Sequence, residues 1–380
     1  MHRRVVPALL AGVAAMAVAS PAMAATSAAA VSFQVLGDVA IPGNLTFGGA
    51  TFGGLSGVDF NATTSTWRAI SNDGSNHGPA RFYDLNLGSS AQALRSAVSS
   101  SNVTGGLVPL LRADGTVYPS SATAGQDTVE PEAIRYDPTT KDVFWVNEGV
   151  HTSSLSVPPS VRESTTDGHL VKQFPLAKQV ASPTATSGIR DGEGLTGITV
   201  AANGVVSYST LAGPLLQDGP EPTATTGAFT RILGQSRALG WPVLSEYAYP
   251  LDKLPLADAN GNGTNQVADI LTVDATHYLV LERGTAPGQG NSVRLYEIDT
   301  SSAFNVVSFA SLNGATFTPV TKTLLLDFAS LSLSCGVANF SGLAWGPTLS
   351  NGDRSLVLVS DNGFDPNTPT RVLALDAHGI

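Results

Sequence analysis

The stretch Pro131-Glu132-Ala133-Ile134, with Val146-Asn147-Glu148-Gly149 a short way on, decides the fold of this sequence. A small-residue turn opens an apolar pair, and the next apolar strand ends in a polar cluster closed by glycine. The same order recurs in Gly54-Leu55-Ser56-Gly57-Val58 with Ile70-Ser71-Asn72-Asp73-Gly74. It recurs again in Phe340-Ser341-Gly342-Leu343-Ala344-Trp345 with Val359-Ser360-Asp361-Asn362-Gly363. Gly192-Glu193-Gly194-Leu195 opens a further unit, but its strand closes on Ser209-Thr210-Leu211 and carries no acid. Ala268-Asp269-Ile270-Leu271 fits less closely and precedes Leu281-Glu282-Arg283-Gly284. Between paired strands lie hairpin turns such as Asp137-Pro138-Thr139-Thr140 and Ser350-Asn351-Gly352-Asp353, rich in the residues that tolerate tight turns.

Units of paired strands at roughly 60 to 77 residues, with no sustained helical period, point to radial repetition. The expected fold is all-β, a β-propeller of about six blades, with five or seven open. Residues 293–298 and 306–312 supply the weaker strands of that count. A β-sandwich accommodates such a regular repeat poorly.

The N-terminus reads as a targeting segment. His2, Arg3 and Arg4 precede the apolar residues 5–20, and Ala22-Met23-Ala24 offers the small residues of a cleavage site. The expected division is a signal peptide over 1–24, a short linker over 25–31 and one propeller domain over 32–380. Export to the periplasm or the medium follows. Loss of Arg3 and Arg4 leaves 18 basic residues against 30 acidic ones. Such a surface repels nucleic acid and anionic lipid, so neither is an expected partner; a small molecule is, acting on a monomer. The one cysteine, Cys335, has no intrachain partner and, among apolar and small neighbours, reads as a buried thiol.

In a propeller the inner strands surround a channel, and equivalent strand ends meet at one mouth. The repeat therefore predicts that Asp73, Glu148, Glu282 and Asp361 converge, joined by Glu132, Glu193 and Asp269 from the preceding turns. So many carboxylates repel unless protonated or bound to a cation, and oxygen ligands suit a hard cation, Ca²⁺ above other divalent ions. The competing reading has each acid ending its strand by accepting backbone N–H bonds. Asp258-Ala259-Asn260-Gly261-Asn262-Gly263 also matches the opening of a calcium loop, with Asp269 at its twelfth place. No G-x-S-x-G elbow exists around Ser56 or Ser341, and His77, His151, His169 and His277 lack metal-ligand spacing. Arg81, Arg135, Arg190 and Arg283 sit near the acidic motifs, suited to an anion or to neutralising the carboxylates.

Taken in order, these motifs resemble the phytase-like family described by esterase-like activity. The resemblance rests on Gly54-Leu55-Ser56-Gly57, Asn72-Asp73-Gly74, Arg81-Phe82-Tyr83, Pro131-Glu132 and Asn147-Glu148-Gly149. It continues through Gly192-Glu193-Gly194-Leu195, Leu281-Glu282-Arg283, Gly342-Leu343-Ala344-Trp345 and Ser360-Asp361-Asn362. It implies a propeller-like fold, export, and hydrolysis of phosphoesters or carboxylic esters. The chain departs from the family pattern at Ala133, where glycine is common, and at Ser341, where an acid is common.

The expected function is a metal-dependent hydrolase. Glu148 or Glu282 serves as general base, and Arg81 or Arg283 steadies the developing anion. Two alternatives stay open: a propeller that binds a ligand or partner around a structural metal, and a lactone hydrolase of the gluconolactonase type.

Overall fold

The computed structural model describes residues 30–99, 104–123, 128–181 and 183–380. The expected signal peptide lies outside the described residues, as do all but the last two residues of the linker. Among the described residues no helix is long and apolar enough to cross a membrane.

The repeat produces five antiparallel four-stranded sheets. Blade one runs Leu55–Asn61, Thr66–Ser71, Arg81–Leu85 and Thr104–Pro109. Blade two is Pro131–Tyr136, Val143–Asn147, Ser160–Ser164 and Leu170–Phe174. Blade three is Leu195–Val200, Val206–Leu211, Ala228–Ser236 and Val243–Leu251. Blade four is Gln266–Thr272, His277–Ala286, Gly290–Asp299 and Thr321–Asp327. Blade five takes Phe340–Thr348, Arg354–Ser360 and Thr370–His378, and borrows Ser32–Ile41 as its outermost strand. That borrowed strand pairs antiparallel with Thr370–His378 and closes the ring. Arg371 Nε donates to Asp38 Oδ1 at 2.9 Å across the seam.

The expected count of about six resolves to five. Residues 293–298 lie within the third strand of blade four, and 306–312 within its connection to the fourth. That connection runs along the edge of blade three, where Val306 N–H donates to Glu246 O at 2.8 Å and Val320 N–H to Ala248 O at 3.1 Å. Cys335, expected to be buried, is exposed.

A separate apolar core fills each cleft between neighbouring blades. Ile70, Phe82, Ile134 and Trp145 join blades one and two; Phe144, Val146, Leu195 and Leu233 join two and three. The remaining three clefts are filled in the same way. Burial of each such side chain contributes roughly 1.5–3 kcal/mol before conformational entropy is counted. Both faces of these blades are covered, so most residues of the inner and second strands are buried, polar ones included.

The inner strands show why the turns carry small residues. Each ladder slips once near its start, between Leu55 and Gly57, Pro131 and Ile134, Leu195 and Gly197, Val267 and Asp269, and Phe340 and Gly342. Beyond the slip the strands crowd around the axis. A Cβ at Gly57 would lie 2.7 Å from Ala133 Cα, and one at Gly342 2.6 Å from Gly57 Cα. Register also corrects the repeat. The unit of blade three is Leu195-Thr196-Gly197-Ile198, three residues past the Glu193 alignment, and Ala268-Asp269-Ile270 is a full member.

Among Gly57, Ala133, Gly197 and Gly342, Asp269 is the one large residue of its set. It fills the throat together with Arg135. Arg135 Nη2 donates to Asp269 Oδ2 at 2.8 Å and to Ile270 O at 3.0 Å, and Nη1 donates to Val58 O at 2.9 Å. Leu343 N–H donates to Asp269 Oδ2 at 3.1 Å. This fully buried ion pair thus ties blades one, two, four and five. Burial pushes the Asp269 carboxyl up to about 6, even though Arg135 pulls it down.

Arg135→Met strands that carboxylate without its counter-charge and is expected to cost about 3–5 kcal/mol in urea unfolding. Arg135→Met with Asp269→Asn is expected to recover at least half of the loss. An additive double variant would show that the two side chains are not coupled.

Candidate active site

The ladders also fix which side chains face the mouth. Leu55 pairs with Ser71, Pro131 with Asn147, Leu195 with Leu211, Val267 with Glu282, and Phe340 with Ser360. One residue beyond each pair lie Asn72, Glu148, Ala212, Arg283 and Asp361, and these rim the channel. Of the four strand-end acids expected to be equivalent, Glu148 and Asp361 share this place. Asp73 lies one residue further out and Glu282 one residue further in.

That single step changes their chemistry. Asp73 accepts from Arg81 Nη1 at 2.6 Å, from Asn76 N–H at 2.7 Å and from His77 N–H at 3.0 Å. It pins the loop after its strand, and His77 stacks on Phe364 at 4.2 Å. Arg81 is fully buried and also holds Thr51 O at 2.6 Å. Glu282 turns into the cleft between blades three and four. There it accepts from Tyr249 Oη at 2.7 Å, from Asn265 Nδ2 at 2.8 Å and from Lys322 Nζ. Asp73, Arg81 and Glu282 are saturated by the scaffold, and Asp269 is committed to the throat.

At the rim, Arg283 Nη1 donates to Ser341 Oγ at 2.7 Å and lies 3.9 Å from Asp361 Oδ2. Asn72 Nδ2 donates to the same Asp361 oxygen at 3.1 Å. Facing them from blade two are Glu132 and Glu148, both buried. Glu148 N–H donates to Glu130 O at 2.8 Å, and Glu130 N–H to Asn147 Oδ1 at 2.7 Å, so three acids gather at the start of one hairpin. Gly194 packs against the Glu148 carbonyl where a Cβ would collide, a close approach that only glycine permits.

Charge at this mouth is unbalanced. Burial raises the Glu132 carboxyl well above the usual range; Glu148, Asp361 and Glu130 raise it further, with Arg283 opposing. Glu148 is pushed up to about 7, by burial first and then by Glu130, while Arg283 and the Gly194 N–H pull it down. Glu193, from the adjoining loop, rises to about 8 through burial and its neighbour Glu221. Its Oε2 is buried without a hydrogen-bond partner.

Beside these acids opens a cavity of about 470 Å³ lined by His151, Thr152, Ser153, Arg190, Asp191 and Leu216. His151 N–H donates to Asp191 Oδ1 at 3.3 Å, and Arg190 Nη2 holds Gly219 O at 2.8 Å. Glu130 and Asp191, which tune Glu148, lie just outside the repeat units. His151 and Arg190 were visible only as isolated residues.

The metal expectation meets a specific geometry. Among the described residues no three His, Cys, Asp or Glu side chains come close enough to hold one ion. Asp258 is exposed and closes its own turn, its Oδ1 accepting from Asn260 and Asn262 N–H at 2.8 Å each. The donors that would serve a cation at the mouth, Glu132, Glu148 and Glu193, therefore do not form a ready cage of the six to eight oxygens that Ca²⁺ takes.

A family model described as phytase-like, with esterase-like activity of phytase, matches residues 50–364. No curated protein matches the chain. Among solved structures, an alpha-L-arabinofuranosidase from Lactobacillus brevis aligns at 10% identity over 85% of this chain and 90% of its own, with a TM-score of 0.47. The Dos1 propeller aligns at 5% identity over 85% of this chain and 68% of its own, TM-score 0.34. U3-55K aligns at 9% identity over 90% and 98%, TM-score 0.35. Likeness at this level carries no information about chemistry.

The Glu148 shift has a consequence for stability. Its carboxyl titrates near 7 in the native chain against 4.5 when unperturbed. Between those values the native chain holds a proton that the unfolded chain has released, so stability falls as pH rises from 4.5 to 7 and then levels. The gap corresponds to about 3 kcal/mol. Glu148→Gln is expected to flatten that decline, melting above the parent at pH 8 but not at pH 4.5 in calorimetry. Equal displacement at both pH values would mean that the carboxylate is solvated.

Proposed function

The chain belongs to the phytase-like family, and from that premise we propose that the mouth hydrolyses a phosphoester or carboxylic ester of a small molecule. The carrying observation is the meeting of two buried, differently tuned carboxyls, Glu132 and Glu148, with one guanidinium, Arg283. Glu148, part ionised near neutral pH, takes a proton from a water whose oxygen attacks the phosphorus or carbonyl carbon. Arg283 donates to the oxygen on which negative charge develops. Glu132, held neutral, passes its proton to the leaving oxygen, and the proton taken by Glu148 restores it. Arg190 and His151, lining the adjacent cavity, bind the remainder of the substrate. The general-base role expected of Glu282 and the anion role expected of Arg81 are not part of this reading, because both groups are engaged by the scaffold. The leader-like residues 1–24 support export, and the acidic surface supports a small-molecule substrate over nucleic acid or membrane.

Hydrolysis of p-nitrophenyl acetate, p-nitrophenyl phosphate and phytate tests the reading. Glu148→Gln and Glu132→Gln are each expected to lower kcat by about 100-fold or more, and Arg283→Met to lower kcat/KM by a similar factor. Glu282→Gln is expected to shift the melting temperature more than kcat. Turnover of sugar lactones in place of these substrates would move the assignment to a lactonase. No turnover by folded protein supplied with Ca²⁺ would leave a binding propeller.

A divalent cation stays within the proposal on charge grounds, since Glu130, Glu132, Glu148, Glu193 and Asp361 outnumber the guanidinium groups of Arg190 and Arg283. No step above runs through it. Because protons compete for the same oxygens, Ca²⁺ is expected to raise the melting temperature by a few degrees at pH 8 but not at pH 5, and EDTA to reverse the rise. An unchanged melting curve at pH 8 removes the cation and leaves the acid–base pair in place.

A further inference from the structure

The opposite face of the ring holds a second cavity of about 370 Å³ between blades two and three. It is formed by the hairpin turn after Pro131–Tyr136 and by the turn before Val243–Leu251, and Asp137, Thr140, Phe144, Glu163, Arg237 and Trp241 line it. Arg237 Nη2 donates to both Asp137 oxygens at 2.6 Å. The guanidinium carbon lies 5.3 Å from the centre of the Phe144 ring and 5.5 Å from that of Trp241.

One polar atom here is left over, and one acid beside it is only partly matched. The Arg237 side chain is only 10% exposed, and its Nη1 has no hydrogen-bond partner. Glu163 is 7% exposed; burial raises its carboxyl, while a Thr140 hydrogen bond and the nearby Arg237 charge oppose the rise. The unpaired Arg237 N–H is costly unless a ligand answers it. The ligand must accept from Arg237 and donate to Glu163. A hydroxyl does both, and neighbouring hydroxyls on one ring answer both groups at once. Phe144 is fully buried beneath Arg237, and the remaining exposed surface of Trp241 suits the apolar C–H face of such a ring.

Trp241 is held at φ 72°, directly after Gly240 at 82°, a conformation that a bulky residue adopts only under constraint. Its N–H donates to Ser236 O at 2.8 Å, and its indole stacks on Phe174 at 4.1 Å. The volume lies at the small end of ligand sites, which favours one ring over a chain. We propose that this cavity binds a monosaccharide or an equally small cyclic polyol, independently of the chemistry at the mouth.

Ligand-observed NMR and calorimetry on the full chain at pH 7, with D-glucose, D-galactose, L-arabinose and D-ribose, test the proposal. At least one sugar is expected to bind with Kd of about 1 mM. Glu163→Gln and Thr140→Val, two variants that do not depend on each other for folding, are each expected to weaken it about tenfold. Binding should persist in Glu148→Gln, which separates this cavity from the mouth. Failure of all four sugars at about 100 mM with folded protein would overturn the proposal, as would binding indifferent to both cavity variants. An alkylamine that binds where no sugar does, and is lost in Glu163→Gln, would replace the polyol with a cation and overturn it equally.

Discussion

The Arg135–Asp269 pair is the constraint around which the ring is arranged. Five inner strands leave an axis so narrow that four of them carry glycine or alanine where they pass closest. One carboxylate and one guanidinium, reaching from blades two and four, occupy what remains. A buried ion pair of this kind is weak evidence of stability, because desolvation offsets much of its attraction. What it secures is placement. Arg135 holds carbonyls of blades one, two and four, while Asp269 holds an amide of blade five, so a ring with another register strands at least one of these groups. That is specificity obtained from the cost of failing to pair.

The mouth lies directly above this plug and inherits its geometry. The inner strand that supplies Arg135 to the throat supplies Glu132 to the rim three residues earlier, and its partner strand ends in Glu148. Throat and mouth treat charge in opposite ways. In the throat each charged group is matched; at the rim one guanidinium faces several acids. The surplus lifts Glu132 and Glu148 to unequal extents, and unequal carboxyls in one enclosure divide naturally into an acid and a base.

How much of this was legible follows from what each signal encodes. The all-β repeat was readable because blade boundaries need small residues near the axis and turn residues at hairpins. Glu148 and Asp361 were readable as strand-end acids, Glu132 as an acid of the preceding turn and Arg283 as a basic neighbour of them. Register was not. In a strand one residue of offset turns a side chain to the other face, and that offset sends Glu282 to Lys322 and sets Asp73 on Arg81. The Glu193 alignment failed by three residues because glycine serves two purposes in blade three, sparing the Glu148 carbonyl at Gly194 and narrowing the axis at Gly197. Blade number escaped for a topological reason: the last sheet borrows its outer strand from residue 32 onward, and apolar residues 306–312 decorate blade three without founding a blade.

Both faces of the ring leave an acid without a matching cation, yet they do so on different scaffolds. At the mouth the acids come from strand ends fixed by the ladders of two blades, so their positions are set by the same hydrogen bonds that close the fold. On the opposite face Glu163 is held within the strand Ser160–Ser164 while Arg237 stands in a turn, with Trp241 held in a left-handed conformation beside them. A scaffold seldom leaves a buried donor unanswered beside a cavity. Relaxing the 237–242 turn would release Trp241 but pull it from the apolar core it shares with Phe144 and Phe174. That packing holds the strained turn beside the unpaired Arg237 N–H, and a ligand in the cavity would answer the donor.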